Sequence, residues 1–271
     1  MLGNITLDNA ANAAIIAEDG LAIAASGVTG NIALTNAGNI RAYRASTGLS
    51  SARAIALMAT TGDINFTNQS GQIDALDLTV DLETIGGKIV FSNGGTISTT
   101  QDLSDADADA SNNYAVRLNR SGAANDESTI TNSGTISSTT DHALLIDALT
   151  CDSEAAASAY CLTNSGTLSA ARQYALAGNG MSNLKFTNSG TVTARDETVK
   201  LTDLSGAVVI NNSGTISATQ NFPSLYPDPD ATSYAMQLSE ATGVDTSIAF
   251  TNAATGAIST TSGTALSFIA F

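Results

Sequence analysis

Apolar and polar residues alternate in short runs along nearly the whole chain, and the alternation returns in the same phase. In LKFTNSGTV one face carries Leu184, Phe186, Asn188, Gly190 and Val192. IVFSNGGTI gives Ile89, Phe91, Asn93, Gly95 and Ile97, and VVINNSGTI gives Val208, Ile210, Asn212, Gly214 and Ile216. IALTNAGNI repeats the pattern with Ile32, Leu34, Asn36, Gly38 and Ile40. A period of two predicts β-strands with this face turned inward.

An asparagine recurs where each run ends: Asn9, Asn36, Asn68, Asn93, Asn132, Asn164, Asn188, Asn212 and Asn252. The intervals are 27, 32, 25, 39, 32, 24, 24 and 40 residues. The shortest, 24, reads as the repeat, and the others as that repeat plus an insertion. An inward-facing Asn needs hydrogen-bond partners, since stranding a buried amide costs about 1–3 kcal/mol. Stacking on an identical Asn one layer away supplies them. The glycine two residues further on in the quoted runs is expected to take φ > 0 at a sharp corner.

A second apolar stretch follows about ten residues after the Asn, as HALLI (142–146), YALAG (174–178) and TVKLT (198–202). Where a loop intervenes it comes later, as YAVRL (114–118) and YAMQL (234–238). Val199 and Leu201 fall one residue off the phase of Tyr174 and Leu176, so the in/out pattern is expected to slip there. Three short strands per repeat describe one coil of a parallel β-solenoid, all-β, with about nine coils in a single domain over residues 1–271. At roughly 4.8 Å per coil the rod is roughly 43 Å long. A helical repeat needs a period near 3.6. A propeller blade needs about 40 residues, which two successive 24-residue intervals do not allow.

Composition refines this picture. The chain is 43% hydrophobic, yet it has no Trp and only 5% aromatics, so its core is a sum of many small side chains. Ten Lys and Arg against a net charge of −15 argue against nucleic acid or an anionic membrane as partner. No run reaches the roughly 18 consecutive apolar residues of a spanning helix. The start, MLGNITLDNA, lacks the basic and apolar regions of a signal peptide. Neither NITLDN nor the final ALSFIAF reads as a polar cap, so the solenoid is expected to continue beyond this segment. Cys151 and Cys161 are read as a local disulfide closing one loop, which implies an oxidising compartment; two free thiols are the alternative.

The coils ITNSGTI, CLTNSGTL, KFTNSGTV and VINNSGTI resemble the passenger region of bacterial autotransporters, over about residues 4 to 269. The resemblance implies a right-handed parallel β-helix exported through the outer membrane of a Gram-negative bacterium. It further implies display on the cell surface or release from it. The motif specifies the corner of a coil and is shared by passengers with different activities.

On such a scaffold, chemistry is expected in the insertions. Three share one corner: 41–53, 98–113 and 217–233. Two others, 119–128 and the cysteine loop, leave at another. In DLSDADADASNN, Asp105, Asp107 and Asp109 alternate as the first ligands of a calcium loop do, but Ala110 and Val116 stand where that loop needs Gly and Glu. Calcium is therefore the one candidate cofactor, set against a solvated acidic loop. NFPSLYPDPD holds all three prolines, and Phe222, Tyr226, Asp228 and Asp230 on it are candidate contacts for a sugar or protein.

Tyr114, His142, Tyr174 and Tyr234 share one repeat position, where stacked rings explain the lone histidine. Asp196 and Glu197, beside Arg195 and Lys200, form the best local group for acid–base chemistry, and a charged coil surface explains them equally well. The leading expectation is thus a non-catalytic, extracellular structural or adhesive segment. Its partners would be a host or bacterial surface glycan or protein, or further copies associating rod-to-rod or end-to-end. The alternatives are a polysaccharide lyase or glycosidase on the same scaffold, and a self-assembling fibre subunit.

Overall fold

In a computed structural model that describes residues 3–18, 20–43, 52–100, 114–121, 127–139, 141–151, 161–219 and 233–270, the alternating runs form 27 strands, and the described residues include no helix. The strands are divided among three nine-stranded sheets, and each sheet takes every third strand in chain order. Neighbouring strands in a sheet run parallel, as Ile32–Asn36 does between Ile5–Asn9 and Ile64–Asn68. The architecture is a right-handed parallel β-helix of three-strand coils, counted here 1 to 9 by their asparagines.

Because equivalent residues stack in register, each inward position becomes a column. Phe66 stands on Phe91 with ring centroids 5.2 Å apart and planes 5° from parallel. Ile73, Ile97 and Ile136 line the second sheet, and Val80, Val116 and Leu144 the third; all are buried. Burying each such side chain contributes about 1.5–3 kcal/mol. Aliphatic columns fill most of the interior, with Phe66, Phe91 and Phe186 the large rings buried among them. In coils 1 and 9 the same columns are only partly buried, at Leu7, Ile15, Phe250 and Ile258.

The asparagines form a continuous ladder. Asn9 Nδ2 donates to Asn36 Oδ1 at 2.7 Å, and the rungs from Asn36 to Asn252 each measure 2.8 Å. The second amide hydrogen closes the corner by donating to the carbonyl of the nearby glycine, as from Asn188 to Gly190 and from Asn68 to Gly71.

Two expectations about the coil are corrected. The corner glycines Gly38, Gly95, Gly134, Gly166, Gly190 and Gly214 do not have positive φ. They are glycines because of close approach: a Cβ on Gly190 would fall on the carbonyl oxygen of Gly166 in the coil before it. The in/out pattern also does not slip at Val199 and Leu201, which sit opposite Leu176 and Gly178. Instead the corner loses a residue: Arg195 and Asp196 join the strands of coil 7, where Ala171, Arg172 and Gln173 join those of coil 6. The hydroxyl of Thr198 fastens the tight corner by donating to Ser217 O at 2.8 Å, and Thr79 does the same to Ser98 O in coil 3, whose corner is equally short.

Candidate functional site

Strand ends fix where the insertions leave the rod. The gaps between Ala42 and Arg53, Thr99 and Tyr114, and Ala218 and Tyr234 all lie at the corner joining the second sheet to the third, in coils 2, 4 and 8. The calcium candidates Asp105, Asp107 and Asp109 and the contact candidates Phe222, Tyr226, Asp228 and Asp230 belong to these insertions and lie outside the described residues. Among the described residues, no group of three or more His, Cys, Asp or Glu side chains could hold a metal ion.

Between the insertions of coils 4 and 8, three short corners bring polar side chains together from three coils. Arg195 grips Asp196 through Nη2 at 2.8 Å and Nε at 3.0 Å. Lys200 Nζ reaches Glu197 Oε2 at 3.1 Å and the Tyr174 hydroxyl at 3.2 Å, lying 5.2 Å from the centre of the Tyr174 ring. Tyr174 continues a column with His142 and Tyr114, each ring 4.8 Å from the next. Tyr234 holds the same repeat position but is separated from that column by Glu197, its own neighbour across the sheet.

Asp141 sits beneath this surface. Its side chain is 0% exposed, neither carboxylate oxygen has a hydrogen bond, and Arg172 Nη1 comes no closer than 4.0 Å. Burial pushes its pKa up to about 6, against the opposing pull of Arg172 and Arg195. His142, next in the chain, has its Nδ1 buried without a partner; burial and the charge of Lys200 bring its pKa down to about 4. A carboxyl poised near pH 6 suits a general acid, but Asp141 is sealed from any solute, while Asp196 and Glu197 are committed to ion pairs. The arrangement can offer hydrogen bonds and ring edges to a ligand, and its charges largely cancel.

Asp81 on the outer face of the third sheet accepts from Arg117 Nε and Nη2 at 2.8 and 2.9 Å, with Arg53 Nη1 at 3.5 Å. Sequence reasoning missed this group, together with Asp141 and Arg172. The three members come from coils 2, 3 and 4, and only alignment by coil, Ala56 with Asp81 with Arg117, brings them together on one face.

The disulfide joins Cys151 and Cys161, both buried, with Cα atoms 5.7 Å apart. Cys151 N donates to Ser182 O and Cys161 N to Lys185 O, so the ladder to the next coil continues on both sides of the insertion. Between the corresponding positions of that next coil lies the fully buried Leu184. The cystine fills the corner that an aliphatic side chain fills one coil later.

No family model matches the chain, and no curated protein or solved structure is significantly similar to it.

Proposed function

We propose that this chain is a rigid, surface-displayed β-helix segment of autotransporter type that presents adhesive contacts and performs no catalysis. The observation that carries the reading is the placement of three insertions at one corner of a stack of otherwise regular coils. Repeated rungs consume the inward amides and in-register strands consume the backbone groups. Variation in length is thereby confined to edges of the rod, where a partner can be met without disturbing the ladder. The Cys151–Cys161 bridge suits an oxidising compartment such as the periplasm or cell exterior. On this reading the partner is a glycan or protein of a host or bacterial surface, met at the corner into which residues 101–113 and 220–232 are inserted.

The test is binding of the labelled chain to host and bacterial cells and to a glycan array. The comparison is a variant in which each of these two insertions is replaced by the two-residue corner of coil 7. Binding by the parent and its loss in the variant, with the melting temperature held, is the expected result. No binding to any surface, or cleavage of a polysaccharide by the parent chain, overturns the proposal.

A further inference from the structure

One outward column of the third sheet changes height partway along the rod. It reads Ala24, Ala56, Asp81 and Arg117 in coils 1 to 4. The two alanines leave a depression of about 290 Å³ beside the taller Asp81 and Arg117. Three residues before each alanine stand Leu21 and Arg53, and two residues after Ala56 stands Met58, with Glu83 opposite it in the next coil. Leu21 is 39% and Met58 40% exposed, apolar surface that the fold does not use.

We propose that this depression binds the ring of a neutral hexopyranose. Its floor is small and apolar, which matches the C–H face of a pyranose. Its end wall is built from flat polar groups whose positions are already fixed: Asp81 is held by two hydrogen bonds from Arg117 and approached by Arg53. A carboxylate or guanidinium fixed in this way can meet two adjacent ring hydroxyls at once, with donors and acceptors both on offer. Two arginines face Asp81 and Glu83, so the charges of the wall balance and no net field selects an ion. The floor spans the strands of coils 1 and 2; Arg53–Ala59 of coil 2 is paired on both sides, so its backbone groups are spent and the side chains of the floor and wall are what a ligand meets there. The volume lies at the lower end of the range of about 300–1,000 Å³ for small-molecule pockets, the scale of one sugar ring. A shallow site of this kind binds a single ring in the millimolar range, and useful avidity comes from many rods on one surface.

The inference deepens the adhesive reading and rests on it for its biological meaning, but the test reads the depression itself. Met58 lines the depression, whereas Met181 and Met236 are fully buried in the core. The chain labelled with methyl-¹³C methionine is titrated with glucose, galactose, mannose and N-acetylglucosamine, and separately with glucuronate and glucosamine. A saturable shift of the Met58 methyl with at least one neutral sugar is expected, with Met181 and Met236 unmoved. Ala56→Leu, which fills the floor from an outward position, abolishes the shift, and Asp81→Asn weakens binding about tenfold, the loss of one charge-assisted hydrogen bond. The proposal is overturned by an unmoved Met58, by a shift that survives Ala56→Leu, by the three methyls moving together, or by stronger binding of the charged sugars. None of these outcomes bears on loop-borne adhesion, which the insertion variants judge separately.

Discussion

The side-chain amide of Asn164 donates to Asn188 Oδ1 at 2.8 Å, across a sequence separation of 24 residues that is one full coil. Asn188 donates in turn to Asn212, also at 2.8 Å, so each interior rung is both acceptor and donor. Asn188→Ala therefore takes the acceptor from an amide hydrogen of Asn164 and the donor from Asn212 Oδ1, while the carbonyl of Gly190 keeps the Thr215 N–H. At about 1–3 kcal/mol per stranded buried group, a loss of about 2–4 kcal/mol is expected after partial relaxation. Asn252→Ala at the exposed end of the ladder is expected to cost less than about 1 kcal/mol. Urea unfolding of the two variants measures the contrast, and equal costs would remove the ladder from the account of stability.

Gly190 and Gly243 separate two reasons for a glycine. A Cβ on Gly190 meets backbone of the coil before it, at the carbonyl of Gly166. Gly243 has φ +73° but open space around it. Gly190→Ala must push two coils apart and is expected to cost about 3 kcal/mol or more, at the upper end of overpacking penalties. Gly243→Ala bears only the left-handed strain, about 1–2 kcal/mol. Thermal unfolding followed by circular dichroism distinguishes them, and a larger cost at Gly243 contradicts the close-approach explanation.

Much of this fold is legible in the sequence because a solenoid repeats the same local solution. Asn188 with Phe186 before it and Gly190 after it states a strand, an inward amide and a corner within five residues. What resists reading is whatever depends on the length of a corner. Glu197 lies opposite Tyr174 only because coil 7 turns in two residues where coil 6 uses three, and counting from the asparagine puts Val199 on the wrong face. The pairing of Asp81 with Arg117 is hidden for the same reason, since an insertion in coil 4 stretches their separation to 36 residues. Asp141 is invisible as a buried charge because a polar residue at a corner ordinarily faces solvent. The insertion residues Asp105 and Tyr226 carry no repeat to be read against, and their chemistry rests on composition alone.

Cys151 and Cys161 stand where Leu184 closes the following coil, so their bridge is both a staple and a piece of core. Replacing both by Ser breaks the covalent loop closure and puts two hydroxyls in an apolar corner. A closed loop of this size is worth about 3 kcal/mol in the chain-entropy account, so a loss of about 2–4 kcal/mol is expected. Cys151→Ala/Cys161→Ala keeps the corner apolar and isolates the staple, and should fall less far than the Ser pair. Unfolding with and without dithiothreitol checks both, and the reductant should leave the two variants unchanged while lowering the melting temperature of the parent chain.

Asp141 and His142 give the rod opposed responses to acid. Asp141 has a folded pKa of about 6, above its unfolded value near 3.8, so the folded state holds the extra proton between those limits. Its contribution is most favourable at low pH and is lost as pH rises through 6. His142 has a folded pKa of about 4, below its unfolded value near 6.5, so the unfolded state holds the extra proton. Its contribution is present above pH 6.5 and is lost as pH falls towards 4. At about 1.4 kcal/mol per pKa unit, each is worth on the order of 3 kcal/mol across its window, and in the parent chain the two nearly cancel between pH 4 and 6. Asp141→Asn unmasks the histidine: the variant is more stable than the parent at pH 7 and loses stability as pH falls from 6.5 to 4. His142→Tyr, which extends the ring column of Tyr114 and Tyr174, unmasks the aspartate and gains stability as pH falls from 6 to 4. Urea midpoints for the three proteins across pH 4 to 7 decide the matter, and parallel profiles for both variants would show that neither group titrates between the folded and unfolded states as its burial requires.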